Sequence, residues 1–295
     1  MTHPQSNRTM YDRRALANQG MVASIATRSK VKCDQKSPIC IYSVCEVLGV
    51  KVRFNNINME GMYQKGIPPR IHLSSRRPLP RRGYNCAHEL GHHVFGHGSS
   101  IDELREDAKA SVKDPKEFLV DAFAGFLMMP TLGMRRAFAI RGWDPQAATP
   151  SQLFTVACEF GVGYSALITH LSASLNSLSK DRADVLKRAT PKSIRTEILG
   201  EATEEPLIMV DAHYSSPTLD SEVGSRVLLP RGAQVESNNF QYERSLPAGM
   251  LFRAIRPGIV RAKVPNGPFA VFLRVARKEY IGLAQYRHLE DDPDE

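Results

Sequence analysis

The stretch Asn85–Gly98, NCAHELGHHVFGHG, decides how the rest of the chain is read. It places four histidines and one glutamate within ten positions, 88 to 97. On a helix each residue advances about 100°, so residues four apart lie one turn apart on one face. His88 and His92 therefore form a pair whose imidazoles can reach one ion, as zinc requires. Glu89 flanks that face. From there its carboxylate can reach a water beside the ion, take its proton and later pass it to a leaving amine. This is the H-E-x-x-H arrangement. His93 and His97 form a rival pair at the same spacing, but position 94 is valine, so they lack a base. They are expected to be structural or to support the first pair, with Gly96 and Gly98 marking a fraying helix end. The longer metzincin pattern fails, because Phe95 and Gly98 stand where it needs glycine and histidine. Ala87, Leu90, Gly91, Val94 and Phe95 are small or apolar, so the helix should be buried, and buried imidazoles need partners.

A catalytic zinc takes three protein ligands and keeps one position open. The third should come from a later helix with one acidic group on an otherwise apolar face. DPKEFLVDAFAGFLMMP, residues 114–130, fits. Asp114 is an N-cap, Pro115 sits at the first helical position, and Pro130 ends the helix. Glu117 and Asp121 are four apart and share a face. Glu117 is read as the third ligand, and Asp121 as the acceptor for the N–H of a ligand histidine. The alternative is that Glu117 only caps its helix. Glu103, Glu106 and Asp107 are the reserve candidates. Zinc is the expected ion, one per chain, with manganese as the other choice.

The surrounding chain is that of an α+β protein. Residues 10–29 and 37–50 read as helices, and KVRFNN, GMYQ and RIHLSS as short strands. Residues 84–95 are helical, and a further helix follows Pro130 as far as about Arg141. Residues 149–174 have helix-turn-helix spacing, but YSALITHLSAS carries no Lys or Arg to meet phosphate, which favours plain helix packing. From Leu207 the pattern turns to β: LIMVDAHY, SRVLLP, GMLFRAIR, GIVRAKV, FAVFLRVA and YIGLAQYRHL are separated by turn residues. The expected organisation is a zinc-site domain over 1–195 and a β-rich sensor or interaction domain over 205–295, a small sandwich or barrel. Its acidic end, EDDPDE, is expected to be disordered.

The net charge of +8 is uneven: residues 1–100 carry 15 Lys/Arg against 5 Asp/Glu. The densest run, RRPLPRR at 76–82, is read as a solvated loop, with weak nucleic-acid contact through the basic half as the alternative. Five cysteines with no CxxC spacing suit reduced thiols in a cytosol. Cys33, Cys40 and Cys45 fit no standard zinc knuckle. No apolar run is long enough to cross a membrane, and the N-terminus has no signal-peptide core, so a cytoplasmic location without membrane contact is expected.

Taken together, IYSVCEVLGVKVRF, EGMYQKGIPPRIHLSSRRP, AHELGHHVFGH and EFLVDAFAGFLMMP resemble the ImmA/IrrE family of metallopeptidases. The resemblance runs from about Arg13 to Leu175. The last stretch is similar to the family's E-x-x-x-[ND]-x-F-A-x-x-L-[LM]-M-P signature, with Glu117 and Asp121 at its acidic positions. Leu119, Val120 and Cys86 depart from the usual pattern; Cys86 is read as a small buried thiol. The resemblance implies a zincin-like fold: a small sheet, an active-site helix with the two histidines, and a following helix with the glutamate. It also implies an endopeptidase that cuts an XRE-type helix-turn-helix repressor, with an extended substrate segment added to the sheet edge near RIHLSS. Tyr63, Tyr164 and His170 are the candidates for stabilising the oxyanion, His170 slightly preferred. The competing reading is a DNA-binding or sensor regulator with a structural or vestigial metal site. Against it, a closed structural site needs four ligands, and a vestigial one needs no Glu89.

Overall fold

A computed structural model describes residues 11–102 and 114–289. The reserve acids Glu103, Glu106 and Asp107 and the acidic end 290–295 lie outside them. The order is α1 (Arg13–Lys30), α2 (Ile41–Val47), β1 (Lys51–Asn55), β2 (Gly61–Gln64), β3 (Arg70–Ser74), α3 (Leu79–Phe95) and β4 (Ser100–Asp102). Five helices follow: α4 (Pro115–Met128), α5 (Thr131–Ala139), α6 (Pro150–Glu159), α7 (Tyr164–Thr169, running on as a π-helical turn to Ser174) and α8 (Lys180–Leu186). After α9 (Pro191–Leu199) the chain is β-rich, with β5 (Leu207–Met209), β6 (Thr218–Glu222), β7 (Arg226–Leu229) and β8 (Gln234–Val235). The last strands are β9 (Phe240–Leu246), β10 (Gly249–Ala254), β11 (Gly258–Lys263), β12 (Ala270–Ala276) and β13 (Gly282–Leu283). The α+β class expected from the sequence is observed.

The first sheet runs β13-β1-β3-β2-β4. Strands β1 and β3 are parallel, and β2 runs antiparallel to both β3 and β4. Alternation decides which face is covered: in β1 Val52 and Phe54 are buried while Lys51 and Arg53 are exposed. The covered face packs on α3, and α4 lies between α3 and α1. Close approach on both sides of α4 depends on glycine. A Cβ at Gly20 of α1 would come within 2.8 Å of the Phe123 nitrogen, and one at Gly91 of α3 within 2.9 Å of the Val120 Cβ. One apolar cluster, including Phe54, Ile71, Leu90, Phe123, Leu127 and Leu153, joins the sheet to the helices.

Two basic features differ from expectation. RRPLPRR is not a solvated loop. Pro78 caps α3, which begins at Leu79 rather than residue 84, so Arg81 and Arg82 are helical. Arg77 and Arg81 pair with Glu60, while Arg82, 3 % exposed, pairs with Glu222 of β6. Arg28 of α1 is fully buried and donates to the carbonyls of Leu127 (2.5 Å), Asp34 (2.8 Å) and Ser37, satisfying the C-terminal end of α4. The helix-turn-helix-like segment is interior. Tyr164, Leu167, Ile168 and Leu171 are buried, and Ser165, Thr169 and Ala173 are what its second helix offers to solvent. The three clustered cysteines also separate. Cys40 faces Asp220 and Arg287, Cys45 lies 3.7 Å from Cys86, and Cys33 turns to its own loop.

Beyond α9, two four-stranded sheets, β5-β7-β10-β9 and β6-β12-β11-β8, share one cluster built from Val227, Leu229 and Phe252 of the first and Leu219, Leu273 and Val275 of the second. Residues 280–289, read as another strand of this β-rich part, do something else. Gly282 and Leu283 pair with Phe54 and Arg53 of β1, so the end of the chain returns to the first sheet. Ion pairs reinforce the return. Asp220 holds Arg274 (2.7 Å) and Arg287 (3.3 Å), and Arg287 also lies over the Tyr42 ring of α2. Arg141, after α5, bridges Glu159 of α6 (2.8 Å) and Asp211 after β5 (2.6 Å). Among the described residues no single helix is long and apolar enough to cross a membrane.

Burial opposes the charge on Asp220, but Arg287, His288 and Arg274 outweigh it and hold the carboxyl far below the usual carboxylate range. A carboxyl depressed on folding contributes stability that is complete above the unfolded value of about 3.9 and is lost as pH falls below it. Asp220→Asn strands two arginines and should cost about 3 kcal/mol at neutral pH, read by urea denaturation. Its stability should then fall less steeply than that of the parent between about pH 5 and 2.

Candidate metal centre

Helices α3 and α4 meet where Gly91 lies against Val120, and His88, His92 and Glu117 gather on these two helices. His88 and His92 come from α3, Glu117 from the first turn of α4. One ligand atom from each lies within 4.8 Å of the others. The two Nε2 atoms are 3.3 Å apart, and Glu117 oxygens stand 3.3 Å from His88 and 3.7 Å from His92. A tetrahedral ion with bonds of about 2.0–2.1 Å holds its ligands about 3.3 Å apart. The donor set and its spacing therefore suit zinc. His88 and His92 are 8 % and 2 % exposed, so an ion there would be largely screened from water.

The rings are held for that purpose. His88 Nδ1 donates to Asp121 Oδ1 at 2.8 Å, which leaves the lone pair on Nε2. Asp121 accepts this bond at the partly exposed rim of the cluster. His92 Nδ1 lies 3.1 Å from His97 Nδ1. Burial and Lys116 push His97 below its ordinary value, so a neutral ring can accept the His92 proton. Gly96, in the left-handed region at φ 66°, turns the chain so that His97 can fold back onto His92. His93 instead bonds the Tyr63 hydroxyl at 2.9 Å. Neither member of the rival histidine pair belongs to the ligand cluster, and His97 supports the first pair, as the spacing argument allowed.

Glu89 is fully buried between α3 and the sheet. Its carboxylate lies against Gly61 of β2, where an added Cβ would come within 2.8 Å of Oε1. Sequence reasoning missed Gly61 as a site residue. A lone glycine opening a paired strand is the signal that could have found it.

The three oxyanion candidates are engaged elsewhere. His170 is a correction to the sequence reading. It sits against Gly125, about 12 Å along α4 from Glu117 at 1.5 Å per residue, and donates from Nε2 to the Met129 carbonyl at 2.9 Å. Burial pushes it down to about 4, so near neutral pH it carries no charge to offer. Tyr164 donates to the Leu186 carbonyl at 3.0 Å, and Tyr63 is held by His93. The expected substrate edge is also corrected, because β3 (RIHLS) is interior, flanked by β1 and β2. The outer strand on the β2 side is β4. Cys86 is a fully buried thiol packed on Cys45, its pKa pushed well up by burial and by that neighbour.

The peptidase M78 family model, described as the IrrE N-terminal-like domain, matches residues 45–172. Residues 45–172 belong to the ImmA/IrrE family. The matched span holds β1 to β4, α3 with both histidines and Glu89, and α4 with Glu117. Membership supports a metallopeptidase role at the family level, and the His88–His92–Glu117 cluster is compatible with its metal. No curated protein matches the chain.

Glu117→Gln and His88→Ala should each abolish uptake of one zinc per chain, measured by competition with a chromophoric chelator. Asp121→Ala should weaken it by about 10–100-fold while leaving the stoichiometry intact. His170→Gln should lower thermal stability and leave zinc affinity unchanged.

Proposed function

We propose that this protein is a zinc endopeptidase that cuts a partner protein, an XRE-type helix-turn-helix repressor, and so relieves repression. The observation that carries the reading is the three-ligand cluster with a buried carboxylate one residue beyond its first histidine. Among the described residues three ligands converge, which leaves open a coordination position that a structural site would close. A bound zinc supplies Lewis-acid polarisation of a carbonyl and acidifies water.

The chain's own residues do the rest. Asp121 and His97 fix the ring orientations of His88 and His92. Glu89 is the proton carrier: it takes a proton from the attacking water and delivers it to the leaving amine. Its burial against β2 removes competing solvent and strengthens its interaction with charge developing nearby. An extended substrate segment would add to the outer edge at β4, the strand beyond β2, on the side of the sheet that touches Glu89. We place this activity in a reducing cytosol; all five cysteines are free, and Cys45 and Cys86 stay unbonded at 3.7 Å.

No observation favours the DNA-binding alternative. The second helix of the helix-turn-helix-like segment faces the core, and its solvent side carries no cation.

The test uses the zinc-loaded protein and a purified XRE-type helix-turn-helix repressor, sought first among the products of neighbouring genes, with cleavage read by intact-mass spectrometry. Glu89→Gln should keep one zinc per chain and slow cleavage by about 10²–10⁴-fold. Cleavage by that variant at the parental rate would overturn the assignment.

A further inference from the structure

Gly61 opens β2 and is paired on both of its edges. Its partners are Leu73 on β3 and Asp102 on β4, both in regular antiparallel register. Its φ is not in the left-handed region that calls for glycine. Glycine in such a place weakens a strand, because it packs nothing and loses more backbone freedom on folding. The reason for it is space. A Cβ built there would stand 2.8 Å from Glu89 Oε1, 2.9 Å from Cγ and 3.3 Å from Cδ.

We infer that Gly61 is a positioning residue: the absent side chain is the seat of the Glu89 carboxylate. The inference rests on the peptidase reading for what that carboxylate does there, and on geometry alone for the contact. Relief by moving the helix is blocked. Helix α3 lies between β2 and α4, and on its far side Gly91 already touches Val120, with 2.9 Å left for a Cβ. Relief by moving the strand is blocked as well, because β2 is bonded on both edges. The movable part is the Glu89 side chain. A methyl group at position 61 therefore acts on the carboxylate first, leaving His88, His92 and Glu117 in place. Gly61 fixes where the base stands in the way that Asp121 fixes a ligand ring.

The experiment is a double-variant cycle on the full chain, with zinc and cobalt as the probes. Gly61→Ala should lower the melting temperature of the metal-free protein by roughly 3–8 °C. In a Glu89→Ala background, where Cγ and the carboxylate are gone, the same change should cost less than about 1 °C. Zinc stoichiometry of Gly61→Ala should remain one per chain. The visible absorption band of its cobalt form should shift in the same direction as that of Glu89→Gln, a signature that a purely structural glycine would not produce. Equal melting losses in both backgrounds, or a cobalt band identical to the parent's, would overturn the inference. If no metal binds to any form while the melting cycle stays strongly coupled, the contact stands and the peptidase reading fails instead.

Discussion

The closest approach of α3 and α4 is the constraint from which the site follows. Gly91, one of the two unspecified positions of H-E-x-x-H, lets Val120 and Phe123 come against the helix backbone. With any larger residue there the helices would stand farther apart, and Glu117 could not reach both imidazoles. The same contact presses the other side of α3 towards β2. Glu89 is then confined between helix and strand, with Gly61 opposite. Two glycines on two elements thus set how closely His88, His92 and Glu117 gather and where the Glu89 carboxylate lies.

The His88–His92–Glu117 cluster also shows how buried polar groups are accommodated. Two imidazoles and a carboxylate in an apolar helix pair would be costly alone. Asp121 and His97 each take one proton-bearing nitrogen, which leaves both Nε2 lone pairs turned to one point. At the opposite end of α4 the problem is solved differently. Arg28 and His170, both buried, donate to the last carbonyls of that helix region. Charge at one end and donors at the other hold α4 in register with its neighbours.

Much of this was legible in the sequence, because local rules carried it. The spacing of His88 and His92, the N-cap at Asp114 and the breaker at Pro130 marked the two helices and the three side chains that converge between them. Strands β1 and β2 of the first sheet alternate between covered and open positions. What sequence missed depends on distant partners. Strand β9, FQYERSL, is held by register and by ion pairs such as Arg253–Glu243 (2.5 Å), not by apolar alternation. RRPLPRR looked solvated because Glu60 and Glu222 are far from it in sequence or carry no local signal. His170 looked catalytic for its residue type alone; its distance from Glu117 is a tertiary fact. YIGLAQYRHL reads as a strand of the nearest sheet, and nothing in ten residues says that it crosses back to β1.

That crossing back has a practical meaning for anyone cutting the gene. The span that carries the ligands ends at residue 172, yet one border strand of its sheet arrives from residues 282–283. An expression fragment stopped after α9 would lose that strand, the Arg82–Glu222 pair and the cover over Tyr42. It would present β1 as a bare edge, the sort of surface on which foreign strands assemble. The peptidase-like part and the β-rich part are consecutive in sequence but share a hem.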